Sequence, residues 1–296
     1  MNLEDLMFKP GLLKGQRVLV TGGGTGLGKV MAEAILLLGG EVYICGRRAA
    51  VVEETAKELM GLHGGKVVGL QCDIREAVAI SEMLDKIWAD GGALTGLINN
   101  AAGNFISRTE DLSPRGFDAV SNIVFRGSFY TTLDCGKRWL AEGTKASVIS
   151  ILTTWVWNGS PFVVPSAMAK AGVNAMTQSL AVEWAGRGIR FNAIAPGLFP
   201  TEGMSARLNP GGGEHKMERN PMDRNGRMPE LANLAAFLLG PGSEYVNGQT
   251  IAIDGGQFQA TGANFSALSE WGDEDWAKAR AEIQQRNAKD KAGRAS

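Results

Sequence analysis

Short apolar runs alternate with longer stretches of helical spacing along most of this chain. RVLVT (17–21) is β-branched and apolar throughout, which by length and flanks predicts a buried strand. GLGKVMAEAILLLG (26–39) repeats its apolar positions with a helical period and ends in glycine, which predicts a helix. EVYICG (41–46) reads as a second strand and VVEETAKELMGL (51–62) as a second helix. KVVGLQCD (66–73), GLINN (96–100), ASVISIL (146–152), IRFNAIAP (189–196) and NGQTIAID (247–254) are further strands, and helical patterns fall around 76–89, 114–140, 165–185 and 228–240.

Each parallel strand pair needs a crossover, and a helix is the usual one. The alternation therefore predicts a single α/β domain: a doubly wound Rossmann fold whose mostly parallel, seven-stranded sheet has helices on both faces. Its expected span is 1–262. Residues 197–227 break the rhythm with Gly, Pro, Asn and basic residues, which marks an insertion beside a ligand site. Residues 263–296 form a C-terminal extension, with a short amphipathic helix expected at 273–287 and a polar tail.

Composition narrows the classes. The formal net charge of −1 gives no global attraction to nucleic acid or an anionic membrane. No apolar run reaches the roughly 18 residues of a membrane span, and the opening MNLEDLMFKPGLLKG has no signal-like core. Cys45, Cys72 and Cys135 are scattered, without metal spacing, which fits a reducing cytoplasm and no metal site. His63 and His215 lie far from any acid at ligand or triad spacing and receive no catalytic role.

The chemistry begins at TGGGTGLGK (21–29), between the first strand and the first helix. Gly22, Gly26 and Gly28, with Thr25 and Leu27 among them, allow a tight turn and bring backbone N–H groups and the helix dipole to a pyrophosphate. At the end of strand two, where an acid would bond the ribose 2′-hydroxyl of NAD, stand Arg47 and Arg48. A guanidinium pairs with a 2′-phosphate instead, so the expected cofactor is NADP(H). Asp73, followed by Ile74 at the end of strand three, is placed for the adenine amino group; capping its own turn is the competing role.

TGGGTGLG, Asp73, NNAAG (99–103), Lys170, the Pro196–Gly197 pair and DGG (254–256) together resemble the short-chain dehydrogenase/reductase family over nearly the whole chain. NNAAGNFIS (99–107), FVVPSAMAKAGV (162–173), TQSLAVEW (177–184) and RLNP (207–210) resemble its NADPH-dependent 2,4-dienoyl-CoA reductases. The resemblance implies hydride transfer to the far end of a conjugated thioester, with charge collecting on the thioester oxygen. It implies that Lys170 holds the nicotinamide ribose, that Ser166 lies near the thioester, and that Asn100, Ala101, Ala102 and Gly103 line the cofactor. It also implies a homotetramer built through the helices at 114–140 and 165–185.

The chain departs from that pattern at the acid. The place four residues before Lys170, where the wider family has a tyrosine, holds Ser166. The place fifteen before it, where the dienoyl branch has one, holds Trp155; the branch's asparagine place falls on Arg126, and the wider family's polarising serine on Thr153. Three readings stay open. Arg126, with a full charge and five donors, and an indole N–H could stabilise a dienolate without delivering a proton. Tyr130, one turn beyond Arg126, could reach in. Or Trp155 fills the acid's place and the protein binds NADPH silently, a carbonyl reductase on another substrate being the further alternative. Trp155 and Trp157, if extended, point to opposite faces.

Arg207, Lys216, Arg219, Arg224 and Arg227 in the insertion suit the phosphates of a coenzyme A thioester, and LFPTEGM (198–204) suits a lid over an acyl chain.

Overall fold

The computed structural model describes residues 1–201, 220–262 and 266–294. Seven strands form one sheet: β1 Arg17–Thr21, β2 Glu41–Gly46, β3 Val67–Gln71, β4 Gly96–Asn99, β5 Ala146–Ile151, β6 Ile189–Pro196 and β7 Thr250–Ile253. Their order is β3-β2-β1-β4-β5-β6-β7, and every pairing is parallel. The order reverses between β1 and β4, so the crevice at their carboxyl ends is where a ligand is expected in such a sheet.

The helices are α1 Gly26–Leu37, α2 Ala49–His63, α3 Ala77–Gly91, α4 Pro114–Ser121, α5 Ser128–Glu142, α6 Trp155–Asn158, α7 Val164–Glu183, α8 Met228–Leu239, α9 Gln257–Ala260 and α10 Asp273–Arg294. Two apolar layers cover the sheet. Met31, Ile35, Leu231, Ala235 and Leu238 pack with Val18, Val20 and Ile149 on one face. Ile80, Leu84, Ile87 and Trp139 pack with Leu19, Leu97 and Val148 on the other. Strands covered on both faces have no solvent side, which is why they read as unbroken apolar runs and not as alternating ones. No helix among the described residues is long and apolar enough to cross a membrane.

Three expectations change. The helix expected at 114–140 is two helices joined by a π-helical segment, Asn122–Gly127, a wider turn that often marks a functional place in a helix. Trp155 and Trp157 do not lie on an extended strand: they sit in the single helical turn of α6, so the alternation argument fails for them. The terminal helix runs to Arg294, longer than the pattern suggested.

Candidate active site

The crevice is built by the ends of β1 and β4. The Thr21 hydroxyl oxygen accepts from the backbone N–H groups of Asn100 and Ala101, both at 3.0 Å. The Asn100 amide in turn donates to the carbonyls of Thr21 at 3.0 Å and Gly22 at 3.2 Å. Two strand ends are thus stapled beneath the glycine turn. Gly22 has φ +65°, and a Cβ there would stand 2.9 Å from the Ala101 Cα. A Cβ on Gly28 would stand 2.4 Å from the Gly22 carbonyl oxygen and 2.5 Å from the Asn100 amide nitrogen. Both positions therefore exclude a side chain, and the turn leads directly into α1, with Thr25 as its N-cap residue and Gly26 and Leu27 in its first turn.

Beside this turn lies a cavity lined by Gly22, Cys45, Gly46, Arg47, Cys72, Asp73, Ile74, Ala101, Ala102 and Ile123. Six of the residues expected at the cofactor are among them. A dinucleotide fits: glycines without Cβ atoms face the α1 N-terminus, and the exposed Arg47 and Arg48 stand at the end of β2 with no acid between. Asp73 is more engaged than its sequence position suggested. Its Oδ1 accepts from the Arg75 Nε at 2.9 Å and backbone N at 3.1 Å, and its Oδ2 from the Arg75 guanidinium at 2.5 Å. The guanidinium of Arg75 holds this carboxyl below its usual range. Turn capping thus occupies part of its capacity. Arg75, two residues on, is the partner that sequence reasoning passed over. On the opposite wall, Gly197 donates its N–H to Ile253, and a Cβ there would meet Asp254 at 2.8 Å, so the turn after Pro196 is as tight as the first.

The reaction side is organised by β5 and α7. Ser166 and Lys170, four apart, share the buried face of α7. Lys170 donates its ammonium to the carbonyl of Ile151 at the end of β5. Burial alone pushes this lysine down to about 8. Two residues beyond Ile151, the Thr153 hydroxyl oxygen is buried with no hydrogen-bond partner among the described residues. A buried hydroxyl left unpaired costs stability, and Asn99 Oδ1 and Ser150 Oγ near the same strand ends are likewise buried without a partner among the described residues.

Arg126 lies in the π-helical segment and is exposed. Its Nε donates to the Tyr130 hydroxyl at 3.2 Å, its guanidinium to Asn122 Oδ1 at 3.3 Å, and its charge lies 5.2 Å from the Tyr130 ring centre. Arg126 and Tyr130, separate candidates in the sequence, are therefore one cluster. Of the basic insertion, Arg207, Lys216 and Arg219 lie outside the described residues, as do residues 202–204 of the expected lid, while Phe199 of that lid is buried in the core. Arg224 and Arg227 both pair with Glu230 in the first turn of α8, at 2.7 and 3.2 Å. They carry one charge beyond that carboxylate's.

Phe162, just before α7, is a bulky residue at φ +62°, where a side chain costs about 1–3 kcal/mol. Its carbonyl accepts from Ser107 at 2.9 Å, tying the loop after β4 to the start of α7. Nothing in the composition of FVVPS signals that strain, because positive φ is ordinarily a glycine property.

Comparisons with known proteins agree with this architecture. Residues 22–257 match the family model described as enoyl-(acyl carrier protein) reductase. The chain is 41% identical to a probable 2,4-dienoyl-CoA reductase of Caenorhabditis elegans, over 96% of this chain and 94% of that one. It is 41% identical to a probable 2,4-dienoyl-CoA reductase of Bacillus subtilis, over 81% of this chain and 96% of the other. A crystal structure of a short chain dehydrogenase from Bacillus anthracis superposes with a TM-score of 0.75 at 40% identity, covering 83% of this chain and 97% of that one. The glycine cradle at the β1–β4 crevice, the buried lysine of α7 and these likenesses place the chain in the short-chain dehydrogenase/reductase family of oxidoreductases.

Proposed function

We propose that this protein reduces a 2,4-dienoyl-CoA, or a related enoyl thioester, with NADPH. The observation that supports the reading is the buried Lys170 bonded to the end of β5, two residues before the unpartnered Thr153 hydroxyl, with Ser166 on the same buried face of α7 and no tyrosine at either familiar place. NADPH would supply a hydride to the far end of the conjugated system. The charge then moves to the thioester oxygen, where hydrogen-bond donors matter more than an acid. Thr153 and Ser166 offer hydroxyl donors there, and the buried ammonium of Lys170 favours negative charge nearby. The proton that completes the reduction goes to carbon and comes from water, so no tyrosine is required. A simple ketone is a poorer substrate, because its alkoxide must itself be protonated.

Lys170 would hold the nicotinamide ribose, with Asn100, Ala101, Ala102, Gly103, Pro196 and Gly197 around the ring. Arg47 and Arg48 would pair with the 2′-phosphate and so select NADP(H). The exposed side chains of Phe125, Phe129 and Val182 on the π-helical segment, α5 and α7 support assembly into a homotetramer.

The test is loss of NADPH absorbance with a short 2,4-dienoyl-CoA, with NADH alongside. Turnover with NADPH alone supports the reading. Tight NADPH binding without turnover of dienoyl, enoyl or oxoacyl thioesters overturns it in favour of a silent cofactor-binding protein, in which Trp155 has replaced the acid outright.

A further inference from the structure

Arg47 and Asp73 stand on neighbouring loops, just beyond the carboxyl ends of β2 and β3. The Cys72 N–H donates to the Gly46 carbonyl at 3.0 Å, and the Gln71 side-chain amide donates to the Arg47 carbonyl at 3.2 Å. The two loops are thus held side by side, and Arg47 and Asp73 line the same cavity. Asp73 is the one carboxylate among the residues lining it. A 2′-phosphate is largely dianionic at neutral pH. A bare carboxylate in that wall therefore works against the nucleotide that the arginines at the end of β2 would select.

Arg75 supplies the compensation. Its Nε donates to both Asp73 oxygens, at 2.9 and 3.0 Å, and its terminal nitrogen donates to Oδ2 at 2.5 Å. A forked grip of this kind is the strong form of an ion pair. Arg75 is not itself a lining residue, so its influence on a nucleotide passes through Asp73. The side chains of Arg75 and Asp73 are 38% and 27% exposed, so solvent screens them only in part. Glu76, the next acid in the chain, is exposed and lies outside the lining. The Asp73 carboxyl is held below its usual range first by Arg75 and further by the charge of Arg47, so both arginines act on one carboxylate.

We propose that Arg75 is a specificity-determining residue for the cofactor: by neutralising Asp73 it lets the cavity keep a carboxylate in its wall and still accept a 2′-phosphate nearby. The inference rests on the NADPH reading above. It adds a third arginine, one that acts on a carboxylate and not on the phosphate itself.

The experiment is a fluorescence titration of the full chain with NADPH and with NADH, read as the ratio of the two Kd values. Arg75→Gln leaves the Asp73 charge uncompensated and should lower the preference for NADPH by about three- to tenfold, the scale of one partly screened charge at close range. Raising the salt from about 0.05 to about 0.5 M should shrink that effect. Asp73→Asn combined with Arg75→Gln has the net charge of the unaltered pair and should return the ratio to within about twofold of wild type. Arg75→Lys keeps the charge without the fork and should also hold the ratio within about twofold. Asp73→Asn alone leaves Arg75 in excess and should raise the preference for NADPH.

An Arg75→Gln variant that weakens both nucleotides alike, with the ratio unchanged, overturns the proposal and assigns Arg75 to orienting Asp73 or to the fold. A double variant as impaired in ratio as Arg75→Gln also overturns it, because the defect would then not come from the Asp73 charge. If Arg75→Gln does not fold, Asp73→Asn decides: a fall in NADPH preference there overturns the proposal. Equal binding of the two nucleotides by the unaltered protein strikes the NADPH reading, and the change in ratio on substitution reads Arg75 separately.

Discussion

The ammonium of Lys170 donates to the carbonyl of Ile151, the last residue of β5. That single bond ties the first turns of α7 to the strand end that carries Thr153. It also buries a cation with one carbonyl as its partner among the described residues, which is why this lysine titrates well below its usual range, at about 8.

Lys170 therefore gives two pH signatures of opposite sign. Its charge favours the developing anion, so kcat should fall as pH rises through about 8. Stability should move the other way. Between about 8 and the usual lysine value the unfolded chain binds a proton that the folded chain does not, so the fold gains stability as pH rises through that window. The thermal midpoint measured against pH, wild type relative to Lys170→Met, should shift in favour of wild type between pH 8 and 10. A flat difference would mean that the lysine is not held in its buried position.

Trp155→Tyr restores a hydroxyl donor to the place where the related reductases keep one. Dienoyl-CoA reduction, followed by NADPH absorbance, should rise by roughly tenfold or more, since one well-placed donor to an oxyanion is worth about 10²–10³ in kcat. No gain would locate the oxyanion donors wholly in Thr153, Ser166 and their neighbours.

Arg47→Ala combined with Arg48→Ala should weaken NADPH binding by about 10- to 100-fold, the scale of hydrogen bonds to a charged group, and leave NADH within about twofold. Fluorescence titration with both nucleotides checks this. Equal weakening for the two would assign the arginines to the pyrophosphate or to the fold.

Gly28→Ala places a Cβ 2.4 Å from the backbone oxygen of Gly22, an atom that cannot swing aside. The variant should lose about 1–3 kcal/mol of stability and most of its nucleotide affinity together. A normal thermal midpoint with normal NADPH binding would show that the cradle is looser than this geometry.

Glu230 bridges Arg224 and Arg227 and is held down to about 2, first by its bond to Arg224. Its contribution to stability is present above the usual glutamate range and is lost as pH falls from there toward 2. Glu230→Gln should lower the thermal midpoint at pH 7 and make it less dependent on pH in that acid window, as read by circular dichroism.

The seven strands, their crossover helices and the glycine cradle were legible from local pattern alone, because strands buried on both faces must be continuously apolar and a glycine turn between strand and helix has few other uses. The same holds for Arg47 and Arg48, whose place at the end of β2 follows from counting. Lys170 and Ser166 were named by the family resemblance, and the structure sets both on the buried face of α7. Other features depended on contacts between distant residues. The π-helical turn at Asn122–Gly127 widens a helix that propensity would leave regular, and it sets Arg126 against Tyr130. Trp155 and Trp157 would point to opposite faces if extended; they lie instead in the helical turn of α6, and both line one groove. Phe162 occupies a backbone region that its own side chain disfavours, held there by Ser107 more than fifty residues away. Sequence thus determined which elements form, since that is settled by burial and period within a segment. Tertiary structure decided which polar groups go unpaired and where apolar surface stays open, since those depend on what the rest of the chain brings alongside.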